Sequence, residues 1–227
     1  MSSLAPVLFL GLSLTAAPPR DSTSVAKLLS TAVLDRDEAK EEMNRFIRDR
    51  IPDLFLPESA ESWEKESDRL RERTLDEIVF RGVPEDWRRW RAEAMWADTI
   101  ETGKGYRIRR LRYEALPGFW VSALLYEPES VKGKVPAALN VNGHVGPPGK
   151  GIDYEQIRCI NLAKRGMLAL HPEWLYFGEL QGDDYRHGRL AYLDLCGTSG
   201  LSVFYLAMRG GLDVLVERRL HWAIAPN

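Results

Sequence analysis

The chain has 227 residues, room for one domain or for one domain with an appendage. Its 44% hydrophobic and 28% charged residues are the mix of a soluble globular protein with a core of useful size. A formal net charge of -2 leaves no basic field for a phosphate backbone, which excludes nucleic acid as a natural partner.

Residues 4–14 (LAPVLFLGLSL) form an apolar run of signal-peptide length, followed by the small residues Thr15, Ala16 and Ala17. No Lys or Arg precedes the run, which departs from the usual export pattern. At 11 residues it is too short for a bilayer, which takes about 20. Residues 1–19 are therefore expected to be a signal peptide, and the protein secreted or periplasmic. No other segment is long enough to cross a membrane.

Residues 20–102 read as a charged, helical appendage. Leu28, Leu29, Ala32, Val33, Met43, Phe46 and Ile47 recur at helical spacing until Pro52 and Pro57 interrupt them. A second helix is expected to start near Ser59, with Glu61 and Ser62 as capping residues, and to end by Gly82 and Pro84. A third should hold Trp87, Trp90, Met95 and Trp96. Such apolar stripes are the faces by which helices pack on a neighbour.

At Gly103 the character changes, and residues 103–227 read as one domain. Residues 106–113 and 119–127 are strand-like, with Leu116, Pro117 and Gly118 as the turn of a hairpin. A short buried strand follows at 135–141, then the loop 142–149, then a helix at 154–165 stopped by Gly166. Residues 167–171 (MLALH) are another buried strand. A long loop is expected over 172–198 and a final helix over 202–217. Strands alternating with helices predict an α/β fold, a mostly parallel sheet with flanking helices after an antiparallel pair.

Asn142-Gly143-His144 follows a buried strand and precedes a helix. A loop so placed presents backbone N–H groups where ligands of α/β sheets sit. Gly143, His144 and Val145 are thus oxyanion-hole candidates, although Gly-His also suits a tight turn with a structural histidine. Glu173 and Trp174 leave the next strand at the same sheet edge and are substrate-pocket candidates, against plain packing for the Trp. His171 reads as a core or edge histidine. His187 sits with Asp183 and Asp184 in a loop (182–188) that could hold a cation or a sugar hydroxyl but reads first as solvated. Cys159 and Cys196 have no metal-ligand spacing; they allow one disulfide or two buried thiols. No cofactor motif and no convincing metal spacing is present. Seven Trp and eight Tyr serve packing first and a carbohydrate-facing surface second.

The runs LNVNGHVG (139–146), NLAKRGMLALHPEW (161–174) and DLCGTSGLSVFYLAMRGGLDVL (194–215) resemble bacterial α/β-hydrolases of the acetyl xylan esterase type. The resemblance covers about half the chain, from 103 to 215. It implies carboxylic-ester hydrolysis, with deacetylation of polysaccharide as its particular form, through a serine nucleophile and an acyl-enzyme. It also implies a nucleophile elbow, Gly-x-Ser-x-Gly, which these residues lack. Ser199 lies in Gly197-Thr198-Ser199-Gly200 and Ser202 has Phe204 where the glycine must be; both read as helix-start residues. The triad acid and histidine, which follow the nucleophile in such enzymes, are likewise missing, so no catalytic residue is assigned. The expectation is an incomplete hydrolase fold, with a truncated product as its simplest origin. A non-catalytic carbohydrate-binding or interaction domain, or a non-functional gene product, are the alternatives. The expected partner is a small-molecule or polysaccharide ester; the oligomeric state is open.

Overall fold

The computed structural model describes residues 22–224, apart from 54, 132, 184 and 185. The apolar run at 4–14 lies outside the described residues, as do Asp184, Tyr185 and the last three residues of the tail. Two units divide at Leu56/Pro57.

The first unit holds α1 (Ser22–Leu29) and α2 (Arg36–Arg48). Asp35 caps α2 by accepting the amide of Asp37 at 2.8 Å. The stripe of Leu28, Leu29, Met43, Phe46 and Ile47 is exposed.

In the second unit, α3 (Ala60–Arg73) starts where the serines placed it. Ser59 Oγ accepts the Ser62 amide, and Ser62 Oγ accepts the Ser59 amide, both at 3.1 Å. A π-helical turn, Thr74–Val79, continues it. The short α4 (Glu85–Arg89) contains Trp87 but stops there. Met95 and Trp96, expected on a helix, lie instead on β1 (Ala94–Glu101). Antiparallel pairing with the next strand overrides the helical spacing, and Met95 faces Arg112 across the ladder.

The hairpin forms as expected, from β2 (Tyr106–Leu116) and β3 (Phe119–Pro128). Its turn needs Gly118, whose φ of 77° is a left-handed value that side chains resist. Then come β4 (Ala137–Leu139), α5 (Asp153–Lys164) and β5 (Leu168–Pro172). Gly166, at φ 84°, ends α5 as its position implied. The strand order is β1-β2-β3-β5-β4. Only β4 and β5 are parallel, so the sheet is mixed rather than mostly parallel. The hairpin, expected ahead of the sheet, is joined to it by the β3–β5 ladder and forms its larger part.

The expected loop 172–198 contains a helix, α6 (His187–Leu195), whose Leu190 and Leu193 pack on the core. The last helix, α7 (Leu201–Ile224), covers one sheet face. There Leu111, Tyr113, Val121, Leu125 and Leu170 meet Ala207 and Val214. Each of the buried Leu and Val side chains contributes about 1.5–3 kcal/mol. On the other face, Tyr106, Tyr126 and Ala169 meet Cys159 and Ala163 of α5. Both cysteines are free. Cys159 is buried, which pushes its thiol up to about 12, and Cys196 is exposed.

Candidate functional site

The path of the chain from β3 to β4 and back to β5 decides where a ligand can sit. The crossover carries β4 past the position that β5 then fills, and both parallel strands release their loops at one sheet edge. Ligands of α/β sheets bind outside those carboxyl ends. One loop is 140–148 and the other 173–186. Between them lies a pocket of about 370 Å³ lined by Gly146, Pro147, Tyr176, Phe177, Gln181 and Asp183.

Gly143 and His144 are exposed in the first loop, and Val145 is buried and anchors it. A side chain at Gly143 would meet nothing within 4 Å, so its backbone can be approached closely. The His144 ring lies 5.5 Å from the Phe177 ring and 5.2 Å from the His187 ring. His187 also packs on Phe204 at 4.9 Å. Its Nε2 sits 3.0 Å from the carbonyl oxygen of Leu175, which can only accept, so that nitrogen carries the proton. The loop expected to be solvated thus ends in a half-buried histidine held by the aromatic wall of the pocket. Tyr176 lines the same pocket with a φ of 76°, a conformation that costs a non-glycine residue energy.

Glu173 is fully buried and acts as a clasp between the two loops. Its Oε1 accepts the Lys150 amide at 2.8 Å, and its Oε2 accepts Lys150 Nζ at 2.8 Å and the Glu179 amide at 3.3 Å. Gly149 and Gly178 stand on either side, and a side chain at either would lie 2.2 or 2.1 Å from the carboxylate. Trp174 turns the other way and stacks on Phe204, ring centroids 5.1 Å apart. Glu173 and Trp174 therefore leave the strand together but serve different surroundings.

Beneath the first loop lies a polar cluster. Asn140 Nδ2 donates to Glu155 Oε2 at 2.8 Å, and Arg158 bridges both residues. Asn142 is buried with neither side-chain atom hydrogen-bonded among the described residues, and His171 shares that condition on both ring nitrogens. Burial lowers the His171 pKa to about 4, with the Lys150 and Arg158 charges assisting and Glu155 opposing. The histidine is neutral at pH 7.

Ser199 and Ser202 are buried at the start of α7, and Ser202 Oγ donates to the Ser199 carbonyl at 2.6 Å. Sequence reasoning missed Lys150, Asn142, Tyr176 and Phe177. Gly149 and Gly178 were the only local signal, and 28 residues separate them.

The sheet and its covering helices have the arrangement of an α/β-hydrolase fold. No protein-family model matches the sequence, and no curated protein matches it significantly. Solved structures do match. A Bacteroides fragilis protein assigned as an acetyl xylan esterase superposes with a TM-score of 0.60 at 18% identity, over 82% of this chain and 52% of its own. A methylesterase superposes with a TM-score of 0.54 at 21% identity, over 81% of this chain and 37% of its own. The chain thus spans about half or less of the length of these structures. The likeness establishes an acetyl xylan esterase-like α/β-hydrolase fold.

Proposed function

We propose that this chain supplies the oxyanion side of a carboxylic-ester hydrolase acting on a small-molecule or polysaccharide ester. The observation that carries the reading is the exposed Gly143–His144 backbone beside an aromatic-walled pocket at the β4/β5 sheet edge. In hydrolases of this fold, the loop in that position donates an N–H to the developing oxyanion. Each such donor contributes about 10²–10³ in rate. Val145 fixes the loop from below, and the Glu173–Lys150 clasp fixes its far end. The esterase names of the structural neighbours support the ester chemistry.

Neither Ser199 nor Ser202 meets the elbow requirement. Ser202 has its hydroxyl engaged and no exposure. No nucleophile, acid or base is assigned among the residues considered for these roles. Export through residues 1–19 belongs to the same reading, and mass spectrometry of the mature N-terminus tests it.

The decisive assay is turnover of a chromogenic acetyl ester by the 227-residue chain and by the chain extended through its downstream coding sequence. Turnover by the extended form alone, lost on deleting residues 142–146, is the expected result. Turnover by the 227-residue chain would place a nucleophile within it. Saturable oligosaccharide binding with no turnover by either form would replace the hydrolase with a carbohydrate-binding domain.

A further inference from the structure

β5 releases its loop through a tight turn, 174–177, in which the Phe177 amide donates to the Trp174 carbonyl at 3.1 Å. Tyr176 holds the third position of that turn with a φ of 76°. Glycine suits such a position, because a Cβ is strained at positive φ. Among the described residues, Tyr176 is the one non-glycine residue that adopts it. Strain of this kind gathers where a side chain meets a ligand.

Burial does not account for the tyrosine, which is 39% exposed. Its ring meets Phe177 at 5.9 Å and 58° and His187 at 6.1 Å and 62°, so neither ring lies flat upon it. The Arg186 guanidinium stands 6.0 Å from the ring centre, well beyond contact, and is tied to Asp183 at 3.0 Å. Tyr176 lines the pocket of about 370 Å³, where Phe177 and Pro147 supply the other apolar surfaces. Gln181 Nε2 donates to the Pro147 carbonyl at 2.7 Å and so joins the two loops across that pocket. The polar groups of the lining are therefore engaged already, Gln181 with Pro147 and Asp183 with Arg186.

We propose that this pocket takes the aromatic ring of an aryl ester and that Tyr176 is the residue that selects it. An aromatic ring gains from offset or edge contacts with Tyr176 and Phe177 and asks little hydrogen bonding of the walls. A pyranose would bring several hydroxyls, each needing a partner that this lining has committed elsewhere. A single phenolic hydroxyl is within its means, because the Asp183 carboxylate can accept more than one hydrogen bond. The volume lies at the lower end of ordinary ligand sites, about 300–1,000 Å³, as suits one ring with a short arm. Gly146 and Pro147 belong to the same loop as Gly143 and His144, so a ring seated here lies beside the oxyanion candidates. The ester part of the inference rests on the proposed function, whereas seating of the ring requires no ester chemistry.

Isothermal titration calorimetry on the full chain tests this with methyl 4-hydroxycinnamate, xylobiose and ethyl acetate. The aryl ester should bind, and the other two more weakly by about tenfold or more. Tyr176→Gly should weaken the aryl ester by about tenfold while the melting temperature holds or rises, because glycine relieves the turn. Tyr176→Phe keeps the ring and should keep the affinity. A tyrosine retained for packing alone would instead lower the melting temperature when replaced by glycine, and that result overturns the proposal. So do no binding of the aryl ester, equal or tighter binding of xylobiose, unchanged affinity in Tyr176→Gly, or equal losses in Tyr176→Gly and Tyr176→Phe. Ester turnover that fails while the aryl ester still binds would sink the hydrolase reading and leave the ring site standing.

Discussion

Glu173 is a buried charge whose partners hold two loops together. It is fully buried, accepts three hydrogen bonds, and neutralises a lysine that is itself buried. Removing one partner of such a pair leaves a buried charge uncompensated, which costs about 3–5 kcal/mol. Glu173→Ala is therefore expected to lower stability by about 3 kcal/mol, the low end of that range because Lys150 still reaches Glu179. An unchanged urea midpoint would show that the clasp does not hold the loops. His171 makes a second residue-scale prediction. Its folded pKa, about 4, is below the ordinary value of 6.5, so the unfolded chain takes up the proton first. The contribution of neutral His171 is complete above pH 6.5 and is lost as pH falls towards 4, to a total of about 3 kcal/mol. Denaturation midpoints at pH 7 and pH 4.5 measure it. His171→Phe should flatten that slope, and an identical slope in the variant would assign it to other groups.

Two adjacent glycines decide how α7 meets the sheet. In a helix interior, glycine is about 1 kcal/mol worse than alanine. Here a side chain at Gly210 would lie 2.9 Å from the Tyr113 ring, and one at Gly211 would lie 2.7 Å from Leu139. The close approach also lets the Tyr113 hydroxyl donate to the Ala207 carbonyl at 2.7 Å, and it brings α7 onto β4, whose following loop is the oxyanion candidate. Gly211→Ala should therefore destabilise by about 1–3 kcal/mol, as overpacked cores do, despite its better helix propensity. A raised melting temperature would mean that the helix can retreat without loss. The elements on each side show the same precedence of packing over local preference. α5 and its Gly166 stop, the hairpin and the Ser59 cap depend on neighbours in sequence and were legible there. β1 was not, because 94–101 becomes a strand only by pairing with 107–113.

At the scale of the molecule, the sheet ends on β4, which pairs with β5 alone among the described residues. An edge of this kind is a template for a further strand. Sedimentation velocity should show association that grows with concentration, and a single monomeric species throughout would mean the edge is protected in solution. The sequence alone determined the α/β class, the hairpin and the β4–loop–α5–β5 unit, and it marked Gly143, His144 and Val145 as candidates. Each follows from hydrophobic period, turn residues or caps, whose range is a few residues. Only the tertiary structure decided that β5 lies between β3 and β4, that the sheet is mixed, and that α6 interrupts the long loop. It alone joined Glu173 to Lys150 and gathered His144, Phe177 and His187 into one wall. Those features are contacts between segments tens of residues apart, and no local pattern encodes which distant partner will satisfy a buried charge or cover an aromatic ring.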